Sequence, residues 1–154
     1  MWPVIRSILA VIAGFVVASA VMIVIEMVNG RLLYPGLAKL AEGLTDREAI
    51  KAVMASAPAG ALLVVLFGWV LGSLAGGFLA AWIGRNAPVG HALALGGLVT
   101  LAGVANNLML PPPAWFWIAT LIVILPAAYA GARLAAMRSF ATNSGRGDAR
   151  VTIG

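Results

Sequence analysis

Apolar residues along this chain come in unbroken runs rather than in alternation. Ile8 to Ile25 holds no charged residue, and the run extends to about Val28. Ala59 to Ile83 is uncharged and stops at Gly84-Arg85. Val89 to Leu110 carries His91 and the pair Asn106-Asn107 as its notable polar groups, and Ala114 to Leu134 meets its first charge at Arg133. A helix needs roughly 20 apolar residues to cross the hydrocarbon core of a bilayer. Strands of a membrane barrel are shorter and alternate apolar with polar positions. Lipid offers no water, so backbone amides must be bonded within their own segment, which selects helices. The pattern predicts an all-α membrane protein, a four-transmembrane-helix bundle over 1–138, with helices at about 5–28, 59–84, 89–110 and 114–137.

The connections are uneven. The first, 29–58, is the sizeable one. Thr45 followed by Glu48 has capping-box spacing. Ala49, Ile50, Val53, Met54 and Ala57 then fall on one helical face, and Pro58 ends the run. A short amphipathic helix from Asp46 to Ala57, lying on the outer membrane surface, is expected. Arg85 to Pro88 is a tight turn. Pro111-Pro112-Pro113 is a stiff reversal without amide donors. Residues 139–154 are rich in Gly, Ser and Arg and predict a disordered cytoplasmic tail. Its Arg146-Gly147-Asp148 matches an integrin-binding tripeptide, read here as chance because the tail faces the cytoplasm. Near the start, Arg6, an apolar run and Ala18-Ser19-Ala20 imitate a cleavable signal peptide. The run continues through Val21-Met22-Ile23-Val24-Ile25, long enough to span, so an uncleaved helix is expected.

Composition agrees with a bilayer. Of 154 residues, 62% are hydrophobic and 10% charged, against about half and about a quarter in a soluble domain. A domain this small buries only part of its surface and could not hide so many apolar side chains. The net charge of +5 forms no contiguous basic stripe with interleaved aromatics, so no nucleic-acid partner is expected. Basic residues instead report orientation, because cytoplasmic loops collect Lys and Arg. Arg6, Arg85, Arg133, Arg138, Arg146 and Arg150 lie on one side, and Arg31, Lys39, Arg47 and Lys51 on the other. Six against four places both termini in the cytoplasm, across a bacterial inner membrane. Trp2, Tyr34, Trp82, Trp115 and Trp117 fall near the expected interfaces, as aromatic belts do; Trp69 sits deeper, with no role assigned by the pattern.

Candidate chemistry is sparse. The absence of cysteine removes thiol redox catalysis, disulfides and thiolate metal sites. A single histidine makes an all-protein zinc site unexpected, and no metal or cofactor is expected. No phosphate-binding Gly-Lys-Ser loop, HExxH or GxSxG occurs, so the chain is not expected to be an enzyme. Two patterns remain. Gly68, Gly72, Gly76, Ala80 and Gly84 repeat every four residues in the second helix, with Ser73, Gly77 and Ala81 beside them. Ala10, Gly14 and Ala18, and Ala127, Gly131 and Ala135, form smaller ladders. Small residues let helix backbones approach closely where lipid offers no hydrophobic driving force. The row suits packing inside one bundle, or the seam of a homo-oligomer or of a partner membrane protein. The second pattern is polar. Glu26 is the acid of the spanning segments, Asn29 shares its helix face, and Asn106 and Asn107 reach a similar depth from the third helix. Intramembrane acids often mark ion or proton paths. The bland alternatives are a headgroup position, near Arg31, or a helix-tying bond to Asn106 or Asn107. His91 reads as a terminal interfacial residue, and Arg133 and Arg138 as snorkelling boundary markers.

Several pieces together resemble a family of small, uncharacterised bacterial four-helix membrane proteins. They are Glu26-Met27-Val28-Asn29 with Tyr34-Pro35, then Ala57-Pro58-Ala59-Gly60-Ala61. Gly68-Trp69-Val70-Leu71-Gly72 and Gly76-Gly77-Phe78-Leu79-Ala80-Ala81 follow, and lastly Asn107, Pro111-Pro112-Pro113 and Trp115-Phe116. The resemblance spans about residues 5 to 136 and implies no particular activity. An acid in the first of four helices is also similar to small multidrug-resistance transporters, but those chains are shorter, lack the long outer connection and place their acid nearer the midplane. Two functions follow as expectations: a non-enzymatic packing or interaction component of the membrane, or a proton- or cation-coupled transporter of a small solute with Glu26 as coupling carboxylate.

Overall fold

The computed structural model describes residues 2–151, with burial and side-chain contacts described over 4–138. In chain order the elements are α1 (Trp2–Val28), a π-helical segment (Asn29–Leu33), α2 (Pro35–Ala41), α3 (Arg47–Ser56), α4 (Ala59–Ile83), α5 (Pro88–Met109) and α6 (Ala114–Val151). Four stretches are long and apolar enough to cross a membrane: Val4–Leu33, Ala59–Ile83, Pro88–Met109 and Ala114–Arg138. At 1.5 Å per residue each exceeds the roughly 30 Å of hydrocarbon in a bilayer. The chain is a multi-pass, all-α membrane protein, a bundle of four spanning helices with shorter helices in the first connection.

The helix ends follow local chemistry. Pro88 opens α5, where a missing amide proton costs nothing because first-turn donors have no helical partner. The α4–α5 turn closes through Ala87 N–H to Gly84 O at 3.1 Å. The π-helical segment carries the first span five residues past Val28, ending where Tyr34 N–H donates to Asn29 O at 2.7 Å. The first connection is therefore helical at its start, and its α2 goes beyond the single short helix that the pattern predicts. Gly43, at φ +74°, makes the left-handed turn between α2 and α3. Asp46, rather than Thr45, caps α3: its carboxylate accepts from Ala49 N–H at 2.8 Å, and Glu48 pairs with Lys51 at 3.8 Å instead. Ala49, Ile50, Val53 and Met54 form the half-buried face of α3, which packs chiefly on α2. At the other terminus α6 continues past Arg138 to Val151, where composition predicts an unstructured tail. The side chains of 139–151, and residues 152–154 altogether, lie outside the described residues.

α4 is the hub. It packs most extensively on α1 and on α6, while α5 lies against α4, α6 and, more lightly, α1. Two stripes of small residues on α4 make this geometry. On the first, a methyl group added at Gly76 would fall 2.5 Å from Gly14 O and 2.9 Å from Ala18 Cβ, and one at Gly72 would fall 2.7 Å from Ala18 O. On the second, a methyl at Gly77 would meet the Ala128 backbone, and one at Gly131 would meet Leu74 O. Only hydrogen side chains allow backbones so close, and that proximity yields the dispersion contacts holding helices together in lipid. Gly68, Gly72, Gly76 and Ala80 thus face α1, whereas Gly84 turns under the His91 ring of α5. Larger residues fill the space between stripes: Trp69, Leu95, Val99 and Ile124 cluster with Ala18 and Ala80.

Candidate functional site

The α1–α4 seam sets the depth of every polar group along it. The two helices run antiparallel almost position for position. Arg6 Nε donates to Ile83 O at 2.8 Å at one end of the bundle, and Asn29 Nδ2 donates to Ala61 O at 3.1 Å at the other. Between them Gly14 meets Gly76, Ala18 meets Gly72, and Ile25 meets Gly68. Arg6 and Glu26 are twenty residues apart, about 30 Å along a helix, so Glu26 lies close to the opposite hydrocarbon boundary.

Glu26 remains exposed on α1, yet its Oε1 accepts a hydrogen bond of 3.3 Å from Trp69 Nε1. Helical side chains tilt toward their own N-terminus. On antiparallel helices the Glu26 and Trp69 side chains therefore lean toward one another across the seam. The Trp69 ring is 5% exposed and reaches on to α5, where a methyl at Gly103 would collide with it. Trp69 is thus a bridge across three helices, and its indole N–H finds an acceptor, as a buried indole requires. Glu26 forms no ion pair with Arg31 and no bond to Asn106 or Asn107 among the described residues; the helix-tying bond it makes is to Trp69.

The asparagines occupy separate places. Asn29 is buried where the π-helical segment begins and ties α1 to the first turn of α4. Asn107, 1% exposed, donates from Nδ2 to Thr120 Oγ1 at 3.2 Å and joins α5 to α6. The Thr120 hydroxyl in turn donates its one hydrogen within α6, shared between Phe116 O at 3.0 Å and Trp117 O at 2.9 Å. Asn106 is half-buried and gives its carbonyl to Leu110 N–H at 2.8 Å. Glu26, Asn29 and Asn107 therefore each bond a different partner: Trp69, Ala61 O and Thr120. The Oδ1 atoms of Asn29 and Asn107 and the Ser73 Oγ are buried without a protein hydrogen-bond partner.

At the Arg6 end, His91 is buried in the first turn of α5. It packs against Gly84, and its Nδ1 lies 2.6 Å from Ala87 O, so Nδ1 carries the proton. Arg133 donates from Nη1 to Tyr129 Oη at 3.1 Å, and the Arg138 guanidinium sits 5.6 Å from the Phe78 ring centroid. The described residues contain no group of three or more His, Cys, Asp or Glu side chains placed to hold a metal ion.

Trp69 stood out in the sequence only as a deep tryptophan without a role, and Thr120 was not singled out. For Trp69 a signal existed, since a tryptophan far from the interface is out of place in a belt. Thr120 had none, because a lone threonine in an apolar run commonly bonds its own helix carbonyl. No protein family, curated protein or solved structure matches the chain.

Proposed function

We propose that this chain is a non-enzymatic component of a bacterial inner membrane, built to pack tightly and to interact, with both termini in the cytoplasm. It is of the kind represented by the small four-helix bacterial membrane proteins that its motifs resemble. What supports the reading is the division of polar groups into separate structural pairs. Glu26 bonds Trp69, Asn29 bonds Ala61 O, and Asn107 bonds Thr120. A coupling site for a transported ion needs several such groups turned toward one ligand; here the Glu26 carboxylate and the Asn29 and Asn107 amide nitrogens each bond a different helix contact. Both small-residue stripes of α4 are covered within the same chain, so a partner or second copy would meet other surfaces. The half-exposed apolar face of α3 at Ile50, Val53 and Met54, lying on the outer membrane surface, is the one we assign to that role.

The competing reading is proton- or cation-coupled transport through Glu26. Protein reconstituted in liposomes, assayed at one acidic and one alkaline pH, separates the two. Wild type and Glu26→Gln are expected to show the same background flux of protons, alkali cations and small cationic solutes. A pH-dependent flux present in wild type and lost in Glu26→Gln would replace the packing role with transport. Orientation is checked separately: alkaline phosphatase fused after Gly154 should be inactive and fused near Gly43 active, and the reverse would invert the topology.

A further inference from the structure

At the Arg6 end an open cleft of about 600 Å³ separates α1 from α5. Its walls are Ile8, Val11 and Ile12 on one side and Gly90 and Ala94 on the other, with Asn86 at the edge. The lining starts at the ends of two spanning helices and runs less than two turns inward, about 10 Å. It therefore passes from the headgroup level into hydrocarbon. Two arginines flank the lining in sequence: Arg6 precedes Ser7 and Arg85 precedes Asn86, and Arg6 Nε donates to Ile83 O, two residues before Arg85. The carboxylates with described side chains, Glu26, Glu42, Asp46 and Glu48, all belong to the opposite end of the bundle, so nothing acidic among them offsets this charge. An apolar slot beneath a pair of cations matches a molecule with an anionic head and an apolar tail.

We propose that the cleft between α1 and α5 binds one anionic phospholipid, its acyl chain lying between Ile8, Ile12, Gly90 and Ala94 and its phosphate held by Arg6 and Arg85. Basic pockets between spanning helices take anionic headgroups in this way. This does not depend on the packing role proposed above. The test uses the full chain purified in an uncharged detergent. Phosphatidylglycerol, phosphatidylcholine with the same acyl chains, and inorganic phosphate are each titrated, with retention read by native mass spectrometry and stabilisation by thermal melting. Phosphatidylglycerol is expected to be retained at one molecule per chain and to raise the melting temperature, phosphatidylcholine to bind more weakly, and phosphate to do neither. Each basic residue near an anionic surface contributes about 1 kcal/mol, or about five-fold in affinity, so Arg85→Gln should weaken phosphatidylglycerol about five-fold and Arg6→Gln/Arg85→Gln considerably more. Gly90 has only Ala87 Cβ, at 3.6 Å, near an added side chain. Gly90→Leu should therefore fill the slot and abolish retention of both lipids; Ala94→Leu does the same from the next turn should Gly90→Leu misfold. Equal retention of the two lipids by wild type would overturn the proposal. So would protection by phosphate alone, phosphatidylglycerol preference surviving the slot-filling variant, or a dimer that forms through this face in place of lipid.

Discussion

α1 and α4 lie side by side, yet they are built on opposite principles. The most apolar window of the first span has a higher mean hydropathy than that of α4, yet only 17% of it is buried, against 39% for α4. In a soluble protein that order would reverse. In lipid, a hydrocarbon side chain gains little by leaving other hydrocarbon, so hydrophobicity does not pull a helix inward. What qualifies a helix for the centre is how closely it can be approached. α4 offers Gly68, Gly72, Gly76 and Ala80 to α1 and Gly77 and Ala81 to the other side, while α1 turns Ile8, Ile12, Val16, Ile23 and Val24 outward. Its own small face, Ala10, Gly14 and Ala18, is the part that is buried.

Substitutions that respect or violate this division should rank accordingly. The largest loss is expected from Trp69→Ala, which removes a side chain spanning α1, α4 and α5 and leaves a void over Gly103; aromatic-to-alanine changes in cores cost about 3–5 kcal/mol. Melting in detergent should fall sharply, and a small shift would mean that the ring is not structural. Next come additions at the stripes, at about 1–3 kcal/mol each for overpacking. The three atoms nearest a side chain at Gly77 all belong to the Ala128 backbone, which cannot yield, whereas Gly76→Leu and Gly72→Leu each meet one backbone oxygen, of Gly14 or Ala18, and otherwise side chains. Gly77→Leu should therefore melt lowest of the three, and equal melting temperatures for all would break the distinction between rigid and compliant contacts. Glu26→Gln keeps an oxygen acceptor for Trp69 Nε1, and interhelical polar bonds in membranes average about 0.6 kcal/mol. Its stability should be nearly that of wild type; a strong loss would mean that the charge itself holds the seam. Smallest of all is Val16→Ala on the exposed side of α1, expected to leave melting and size unchanged. If Val16→Ala instead destabilises as much as a stripe substitution, something other than lipid covers that face.

The parts of this architecture visible in the sequence are those governed by the bilayer. Span limits read from apolar runs, 59–84 and 89–110, stand beside Ala59–Ile83 and Pro88–Met109, because the cost of leaving a charge or an unpaired amide in hydrocarbon is local and large. The α3 boundary fell within a residue because capping and Pro58 are also local signals, although Asp46 and Thr45 compete for the cap and the bond from Ala49 N–H marks Asp46 as the one used. α2 was not legible, since Gly36 and the Tyr34-Pro35 step read as loop while Pro35 in fact opens a helix.

Pairing is a different matter. Glu26 and Trp69 are 43 positions apart and Asn107 and Thr120 are 13 apart. Similar depth made Glu26, Asn29, Asn106 and Asn107 look like one cluster, but depth is a single coordinate. Which of two groups meet also depends on the rotation of each helix about its axis and on which helices are neighbours. The sequence by itself determined the number of spanning segments and the presence of close-packing stripes, since each follows from residues adjacent along one helix. Only the tertiary structure decided that α4 is central, that one stripe belongs to α1, and that Glu26 answers Trp69. Those choices rest on dispersion summed over whole helix faces, which no single residue carries.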